Sequence, residues 1–427
     1  MAWILIGTFI ALILCRVPIS IAIGMATVLT FLTSDFSNAL QIIPQQMLEG
    51  VNKASLTAVP FFIMAGNLMN VTGVTVRIFA FANALVGHFK AGLAQVNVLS
   101  SMIFAGISGA AVADCAGLGA IEIKAMRERG YKADFAAAVT VASSVIGPLI
   151  PPSIGLVIYA FLAQQSIERM FLAGLVPGIL VGLALMLYIR LRAGIEDFPT
   201  QQRASVREVG QSARHGFAAL MAPAIILGSI MFGFVTATEA GVLACIYCIG
   251  LGIWYRELTL AKFAEALSDS AMMTSVIMII IAFSIAMGWL LAIDQTPQKL
   301  ADWTFSLTEN RNIFLGLLLV FIVLVGCVVE GVPAKLILVP TLLPLIDAYG
   351  IDRVHFGIII QLGLLIGIAT PPMGIGLYIV SKVGGVSFEK VTVAVLPMLL
   401  PLFAVLLLLT YVPQTVTFLP DLILGKQ

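Results

Sequence analysis

Two adjacent prolines interrupt an apolar segment twice in this chain, and the sequences around the two interruptions are closely similar. The first reads Ile-Gly-Pro-Leu-Ile-Pro-Pro-Ser from Ile146, and the second reads Ile-Gly-Ile-Ala-Thr-Pro-Pro-Met from Ile366. A helix cannot pass through Pro-Pro without losing hydrogen bonds, and backbone groups freed at membrane depth are tolerated only inside protein or along a polar cavity. Paired interruptions at matching positions of two halves are typical of the ion and substrate sites of secondary transporters. We therefore expect a transporter.

The composition is that of a polytopic membrane protein. Hydrophobic residues make up 60% of the 427 positions and charged residues 11%, with a mean hydropathy of +1.08. These values lie far from the globular average. A net charge of +1 gives no support for nucleic-acid binding, and three scattered histidines offer little for a metal centre. The apolar N-terminus lacks the basic region and cleavage pattern of a signal peptide, so we expect it to be retained.

Apolar segments of about membrane-spanning length follow one another along the chain. They cover residues 2–15, 17–33, 55–72, 78–88, 93–121, 135–163, 170–189, 217–235, 239–255, 271–293, 312–346, 354–381 and 391–418. The first two are compatible with one long tilted helix. Segments 93–121 and 312–346 each contain a Gly-rich or Pro-containing interruption between arms of about 10 to 14 residues, which are too short to cross, so we predict re-entrant hairpins there.

The two halves of the chain are an internal repeat. Gly147 and Gly367 are 220 positions apart, and the same shift relates Gly106 to Gly326, Gly130 to Gly350 and Pro151 to Pro371. Ser-Ile-Glu from 166 and Ser-Phe-Glu from 387 match at a shift of 221. The register therefore holds across hairpin, connector and broken helix, as expected of a duplication.

Charge placement indicates that the repeats are inverted. Four cations follow the first hairpin within residues 122–132, whereas the matching residues 342–352 have none. Beyond the broken helices the bias reverses, with Lys382 and Lys390 in the second half against Arg169 alone in the first. Because cytoplasmic loops are rich in Lys and Arg, two independent reversals favour antiparallel halves.

We therefore expect an all-α polytopic membrane protein with two inverted-topology repeats, each holding a re-entrant hairpin and a Pro-Pro-broken helix. Residues 1–189 are assigned to the first repeat, with its hairpin at about 93–121 and its broken helix at about 135–163. Residues 190–215 carry five arginines and are expected to be a basic cytoplasmic linker. Residues 216–427 are assigned to the second repeat, with its hairpin at about 312–346 and its broken helix at about 354–381.

The first hairpin and the first break have the composition of a sodium site. Glycines and prolines leave backbone carbonyls without helical donors, and a hydroxyl at Ser108 adds one more oxygen, which suits a hard cation. The alternative is a kinked helix that packs on a Gly-rich loop. The predicted ligands are Gly106, Ser108, Gly147, Ile150 and Pro152.

The second hairpin and break predict a second sodium site that is chemically different from the first. Glu330 is a carboxylate at the tip of an apolar hairpin, and an ionisable group there is a functional candidate. The alternative is a carboxylate that reaches water or pairs with Lys335. Thr370 offers a hydroxyl where the first repeat has Ile150. The predicted ligands are Gly326, Glu330, Gly331, Gly367, Thr370 and Pro372.

An anionic substrate is expected beside these sites, because the half-helices that start after Pro-Pro present free N–H groups and partial positive charge. Asp114 either joins this network or caps the returning hairpin helix. The predicted substrate-site residues are Ser108, Gly109, Asp114, Ser153, Glu330, Thr370 and Met373.

Other polar motifs are interpreted as structural. Thr236-Ala-Thr-Glu239 has the form of a capping box, although Glu239 is also compatible with a transport cavity. Cys245 and Cys248 are expected to be small packing residues on one helix face. Asn67 is expected to be buried as a scaffold contact. A solvated loop is predicted for the polar stretch that holds Asp294, Lys299 and Asp302.

Hydrolytic and redox chemistry find no support in the sequence. It contains no GxSxG, HExxH or Walker A pattern. Without a phosphate-binding loop, ATP does not drive transport directly, so we expect an ion gradient to do so. One alternative from another class is a proton-conducting membrane subunit of a redox complex, which would place Lys and Glu in the middle of several successive helices. Another is an intramembrane hydrolase, but no nucleophile and base stand out.

Several motifs together resemble the large membrane subunit (M, DctM-like) of tripartite ATP-independent periplasmic (TRAP) transporters. These are the hairpin from Gly106 to Asp114, the first Pro-Pro segment, Pro-Phe-Phe-Ile-Met-Ala-Gly from Pro60 and Thr-Ala-Thr-Glu-Ala from Thr236. They occur in the family's order and span essentially the whole chain. Ile107 and Ala110 depart from a tip that is often richer in Ser in relatives.

The resemblance implies a sodium-coupled importer of an organic acid anion, of the C4-dicarboxylate or sialic acid class, with two or more sodium ions. It implies an elevator fold similar to that of ion-transporter-superfamily carriers, and ligands at the positions given above. The implied partners are a small four-helix membrane subunit (Q type) and a periplasmic solute-binding protein (P type), in the bacterial inner membrane. No four-helix unit precedes Met1, so the small subunit is expected to be a separate polypeptide or an absent fusion half.

Overall fold

The computed structural model of the chain describes residues 1–15, 17–34, 40–194 and 198–426, without the side chains of Ala2, Ile107 and Ser108. Regular secondary structure in these residues is helical throughout, which confirms the all-α prediction. The helices are α1 Ala2–Leu14, α2 Ile19–Leu32, α3 Ile42–Val51, α4 Ala58–Val71, α5 Val74–Val86, α6 Gly92–Ser108, α7 Ala111–Ala116, α8 Leu118–Glu128, α9 Ala133–Ser144, α10 Ile154–Ala163, α11 Ile167–Arg192, α12 Val206–Met231, α13 Ala237–Trp254, α14 Leu260–Ile293, α15 Thr296–Leu307, α16 Arg311–Gly326, α17 Gly331–Ala348, α18 Arg353–Ile368, α19 Ile375–Gly384, α20 Phe388–Tyr411 and α21 Gln414–Leu424. A short 3-10 helix, Ala54–Thr57, precedes α4.

Many of these helices have the length and apolarity of membrane spans. Within the described residues, seven helical stretches are long and apolar enough to cross a bilayer, and the pair α15 and α16, bent by 120°, counts as an eighth only if it forms one broken span. Large apolar side chains such as Leu183 and Leu187 of α11 lie more than half exposed on the outer surface. A soluble monomer rarely exposes such surface, so these faces are suited to lipid or to membrane partners.

Both predicted broken helices are present. The first ends at Ser144 and resumes at Ile154, and the second ends at Ile368 and resumes at Ile375. Both Pro-Pro peptide bonds are cis. The second halves begin differently, because Ser153 caps α10 by accepting a hydrogen bond from the Leu156 N–H (3.3 Å), whereas Gly374 precedes α19 with a left-handed backbone. The interruption therefore follows from the prolines, and the restart depends on a local cap.

The helices form two groups that we name for later use. The core bundle consists of α6–α11 and α16–α20, and the flanking bundle consists of α2–α5 and α12–α14. Inside the core bundle each broken helix crosses to the other repeat, since α10 packs on α17 while α19 packs on α7 and α8. In the flanking bundle α4 packs on α13 and α14, and α12 packs on α5. The bundles meet where α5 and α4 contact α6, where α4 also contacts α10, and where α14 contacts α17.

Several predicted boundaries were wrong. The apolar segments 2–15 and 17–33 are two helices that pack on each other rather than one long helix. The hairpin helices α6, α16 and α17 are 17, 16 and 18 residues long, so the arms exceed the predicted length, and α17 alone qualifies as a possible span. The basic linker is partly helical, because α11 continues to Arg192 and α12 starts at Val206.

The polar stretch that we predicted to be a solvated loop is helix α15. Asp294 closes α14, and Lys299 and Asp302 lie within α15. The Asp294 carboxylate accepts a hydrogen bond from the Thr296 hydroxyl (2.8 Å) and lies 3.3 Å from the Lys299 ammonium and 3.6 Å from the N-terminal amine. The Thr296 hydrogen bond, with these cations, holds the pKa of Asp294 below its ordinary value. These contacts tie the start of α15 to the chain terminus.

Candidate ion and substrate site

The turn of the first hairpin lies directly against the first Pro-Pro break. Gly109, between α6 and α7, has a φ of +58°, a conformation that residues with a Cβ rarely adopt. A Cβ at this position would lie 2.8 Å from the Pro152 carbonyl oxygen and 3.3 Å from the Ile154 nitrogen. Glycine is therefore required both by the backbone and by the close approach. The Pro152 carbonyl faces the hairpin turn, as the predicted site requires.

Asp114 lies beside the same break rather than at a helix cap. Asp114 lies within α7, and its backbone N–H donates to the carbonyl of Ala110, which is the N-cap residue of this helix. Asp114 is therefore not the N-cap, and the capping role that we considered is wrong. The side chain is 2% exposed, and a Cβ at Gly147 would lie 3.2 Å from its carboxyl carbon. The predicted pairing of Asp114 with the ion or substrate network is thus compatible with its position.

The backbone around Gly106 corrects part of the predicted ligand geometry. Helix α6 continues through Gly106 to Ser108, so glycine does not unwind the chain there. Carbonyls near the end of α6 lack helical donors for the general reason that a helix leaves its last four unpaired. The predictions on the side chain of Ser108 lie outside the described residues.

Two other predicted first-half residues have structural contacts. The side chain of Ile150 packs on Gly178 of α11, where a Cβ would lie 3.2 Å from its Cδ1 atom. The hydroxyl of Ser153, which is fully buried, donates to the Pro148 carbonyl at 2.5 Å and caps α10. The Ser153 hydroxyl therefore already donates its proton to Pro148. A substrate could contact Ser153 only through the backbone or by donating a hydrogen bond to the hydroxyl oxygen.

The second hairpin and the second break also meet through their backbones. A Cβ at Gly326 would lie 2.8 Å from the Cα and oxygen of Leu364, and one at Gly367 would overlap the backbone of Gly326. The first residue of α17, Gly331, lies beside Leu364 as well, with its Cβ position 3.9 Å from the Leu364 Cβ. The close approach of α16 and α18 depends on these glycines. Three of the predicted second-half ligands are therefore brought together.

The remaining second-half residues lie closer to the surface. Glu330 is half-buried at the start of α17, and the Thr370 hydroxyl donates to the Ile366 carbonyl at 2.7 Å, which leaves its lone pairs free to accept. Pro372 is exposed, and Met373 is 50% exposed. In contrast, every residue from 141 to 160 is buried. The second break therefore reaches the molecular surface, and the first does not.

A buried polar cluster between α6 and α9 is absent from the residues predicted from the sequence. The Asn97 amide donates to Thr140 Oγ1 (2.7 Å), its oxygen accepts from the Ser143 hydroxyl (2.7 Å), and Ser101 donates to Ser143 (3.1 Å). The signal was the recurrence of these residues in otherwise apolar segments. The 220-residue shift places Leu317, Ile360 and Gly363 at the positions of Asn97, Thr140 and Ser143, so the cluster belongs to the first half alone.

The motifs interpreted as structural have structural contacts. Thr236 and Glu239 form the predicted capping box, and Glu239 is exposed. Cys245 and Cys248 are buried free thiols whose hydrogens point to carbonyls of α4. Asn67 donates to Ser270 of α14 at 2.9 Å, as expected of a scaffold contact, although it is half-buried rather than buried.

Comparison with known proteins adds a family context to this geometry. A family model described as Tripartite ATP-independent periplasmic transporter, DctM component, matches residues 6–415. The sialic acid TRAP transporter large permease protein of Vibrio cholerae is 42% identical over 98% of this chain and 98% of that protein. The C4-dicarboxylate TRAP transporter large permease protein of Pseudomonas aeruginosa is 36% identical over 93% of this chain and 92% of that protein.

A solved structure agrees with the observed architecture. The YdaH transporter of Alcanivorax borkumensis superimposes with a TM-score of 0.60 at 16% sequence identity, covering 94% of this chain and 97% of that one. At this identity the likeness concerns the fold alone. It confirms that the helix arrangement described above is one that a membrane transporter adopts.

Proposed function

Because the chain belongs to the tripartite ATP-independent periplasmic transporter family, DctM component, we propose that it imports an organic acid anion together with sodium. The chain is a multi-pass transporter permease and not an enzyme, as its relatives and its apolar helices show. The alternative of a proton-conducting redox subunit is set aside, since the family is one of transporters. The proposal concerns the cargo, the coupling ion, the mechanism and the partners.

The proposed cargo is a carboxylate of the sialic acid or C4-dicarboxylate class. The two relatives described above are named for these cargoes, and the relative named for sialic acid has the higher identity to this chain. The free N–H groups at the starts of α10 and α19 suit a carboxylate without requiring an arginine. Sialic acid is the first candidate.

The observation that carries the sodium proposal is the backbone contact between hairpin and break in both halves. Gly109 lies against the Pro152 carbonyl, and Gly326 lies against Gly367. Backbone carbonyls at unwound helices are the usual sodium ligands of secondary transporters. Asp114 beside Gly147, and Glu330 at the start of α17, supply the carboxylates near these oxygens.

The proposed mechanism is an elevator, in which the core bundle slides against the flanking bundle. The crossing of α10 onto α17 and of α19 onto α7 and α8 supports this proposal, because it holds both hairpins and both breaks in one body. Helices α4, α5 and α14 would then form the fixed surface along which the core bundle moves. Cargo and ions bound at the breaks would move with the core bundle across the membrane.

The proposed partners are a small four-helix membrane subunit and a periplasmic solute-binding protein, in the bacterial inner membrane. The family name supports them, since it describes a tripartite periplasmic transporter. Uptake by proteoliposomes that contain this chain and the small subunit tests the whole proposal. Labelled sialic acid and a labelled C4-dicarboxylate are offered separately, with and without the binding protein, under an inward sodium gradient or with choline in its place.

We expect uptake of one of the two acids, and only when sodium and the binding protein are both present. A neutral amino sugar without the carboxylate serves as the control cargo and should not enter. Equal uptake in choline would refute sodium coupling, and failure of both acids under every condition would refute the cargo class.

A further inference from the structure

A charged side chain is buried where the two repeats cross. Lys335 of α17 is 2% exposed, and its ammonium donates to the Gly155 carbonyl of α10 at 3.0 Å and to Oε1 of Gln361 at 2.5 Å. Gln361 of α18 is equally buried and donates to the Pro148 carbonyl at 2.9 Å. The second hairpin is thereby connected to the first Pro-Pro break through Lys335 and Gln361.

The ammonium of Lys335 is surrounded by neutral oxygen ligands. In the described part of the chain its hydrogen bonds go to the Gly155 and Gln361 oxygens. The considered pairing with Glu330 is not a direct ion pair, although the two charges are close enough to interact. A buried charge without a counter-ion in direct contact is costly unless the surrounding dipoles replace its water. Carbonyl and amide oxygens are also the groups that replace the hydration shell of an alkali cation. The surroundings of this ammonium are those of a monovalent-cation site.

At the other crossing of the repeats, the three positions that correspond to these residues carry no charge. The 220-residue shift places Cys115, Val141 and Ile375 at the positions of Lys335, Gln361 and Gly155. There Val141 packs against α19, with its Cγ2 atom 2.7 Å from the Cβ position of Gly376, and the Cys115 thiol donates to Ser144 within its own half. The fold therefore accepts uncharged residues at these three positions. The charge at the Lys335 crossing serves another purpose than holding two helices together.

We propose that Lys335 is a tethered cation that fills a monovalent-cation site made by the Gly155 carbonyl and the Gln361 side chain. The occupant is covalently attached, so this site is always filled and its charge travels with the core bundle. Removal of the side chain vacates the site for a free monovalent cation. The inference rests on the proposed function only for the movement of the charge, because the site itself is defined by the contacts above.

The test measures the thermal stability of the purified chain in choline, sodium, potassium or methylammonium chloride at equal ionic strength. Lys335→Ala removes the ammonium and opens the space that it filled. We expect this variant to be less stable than the wild type in choline, and to regain stability by several degrees in at least one small cation, beyond any response of the wild type. Methylammonium, which resembles the removed group, is the most informative probe.

Two matched variants make the result specific. Lys335→Ala with Gln361→Val removes one of the oxygen ligands and should lose the cation response. Lys335→Cys with Gln361→Val copies the residues of the other crossing and should respond to cations no more than the wild type does. The proposal is overturned if Lys335→Ala shows no cation-specific stabilisation, if the response survives Gln361→Val, or if no cation yields folded Lys335→Ala protein. The stability measurement does not require transport. If the wild type failed to take up either acid, the proposed function would be refuted, but the stability result would still decide whether Lys335 fills a cation site.

Discussion

At the scale of single residues, buried polar groups find partners that sequence distance does not reveal. Lys335 lies five positions from Glu330 but donates to Gly155, 180 positions away. Asp114 seemed suited to cap a nearby helix but lies against Gly147. The residue types near the breaks were predictable, because Pro and Gly act on their own backbone. Their side-chain partners were not, because those depend on how distant helices pack.

The carboxylate of Glu330 gives the first prediction. Glu330→Gln removes the charge with little change of shape. We expect sodium-driven uptake to fall to background while assembly with the small subunit is unchanged, since an ionisable group in this apolar hairpin is a functional candidate. Uptake and copurification are the measurements. Glu239→Gln is the matched control, because that exposed carboxylate belongs to a capping box that glutamine also completes; this variant should keep both assembly and uptake. Unchanged uptake in Glu330→Gln would remove this residue from the site.

Gly109 gives the second prediction. Gly109→Ala places a Cβ 2.8 Å from the Pro152 carbonyl oxygen on a residue with a φ of +58°. The left-handed conformation alone costs about 1 kcal/mol or more, and the hairpin turn must also move away from the break. We expect the sodium concentration for half-maximal uptake to rise at least about tenfold, which corresponds to about 1.4 kcal/mol of binding free energy.

Gly350→Ala separates the two causes in this experiment. Gly350 has a similar φ of +62°, but a Cβ there would meet nothing within 4 Å. The control should lose stability without a change in sodium dependence. Equal sodium dependence in Gly109→Ala and the wild type would mean that the hairpin turn does not form part of the ion site.

At the scale of helices, the sequence predicted helix ends well where prolines interrupt a helix and where the two repeats can be aligned. The two broken helices begin and end close to the predicted positions because Pro-Pro removes donors whatever the surroundings. Helix α15 was missed because its sequence is polar and opens with Thr-Pro, which is equally typical of a loop. Helix α3, outside every predicted segment, has a proline at its third residue. Such short amphipathic helices depend on packing for their stability.

The Pro-Pro break gives the third prediction. Replacing Pro151 and Pro152 together with Ala restores two backbone donors, so that α9 and α10 can extend toward each other and compete for the carbonyls of the break. We expect uptake to be lost while the protein still assembles in the membrane. Pro397→Ala is the matched control, because Pro397 lies inside the continuous helix α20 and its replacement should leave uptake intact. Retained sodium-driven uptake in the double Ala variant would show that the break is not required.

At the scale of the whole molecule, the crossing of the repeats decides what can move. Because α10 packs on α17 and α19 packs on α7 and α8, each hairpin contacts the broken helix of the other repeat, and we expect the hairpins and breaks to move together. The repeat arithmetic predicted two related halves, but it contained no information on this crossing, since the contacts join segments far apart in the chain. Motion between the core bundle and the flanking bundle would change the contacts of α5 with α6, of α4 with α6 and α10, and of α14 with α17.

A disulfide across this boundary tests the elevator. The Cβ position of Gly288 in α14 lies 3.9 Å from the Cβ of Pro340 in α17, which is close to the mean separation in disulfides. We expect oxidised Gly288→Cys, Pro340→Cys protein to stop transport and reduction to restore it, because the bond joins the flanking bundle to the core bundle. The control pair, Ala137→Cys with Gly384→Cys, has Cβ positions 3.7 Å apart and joins α9 to α19 inside the core bundle. This control pair should transport in both redox states. The elevator is refuted if the oxidised Gly288→Cys, Pro340→Cys protein keeps full activity after mass spectrometry has confirmed its disulfide, because the two bundles would then not slide past each other.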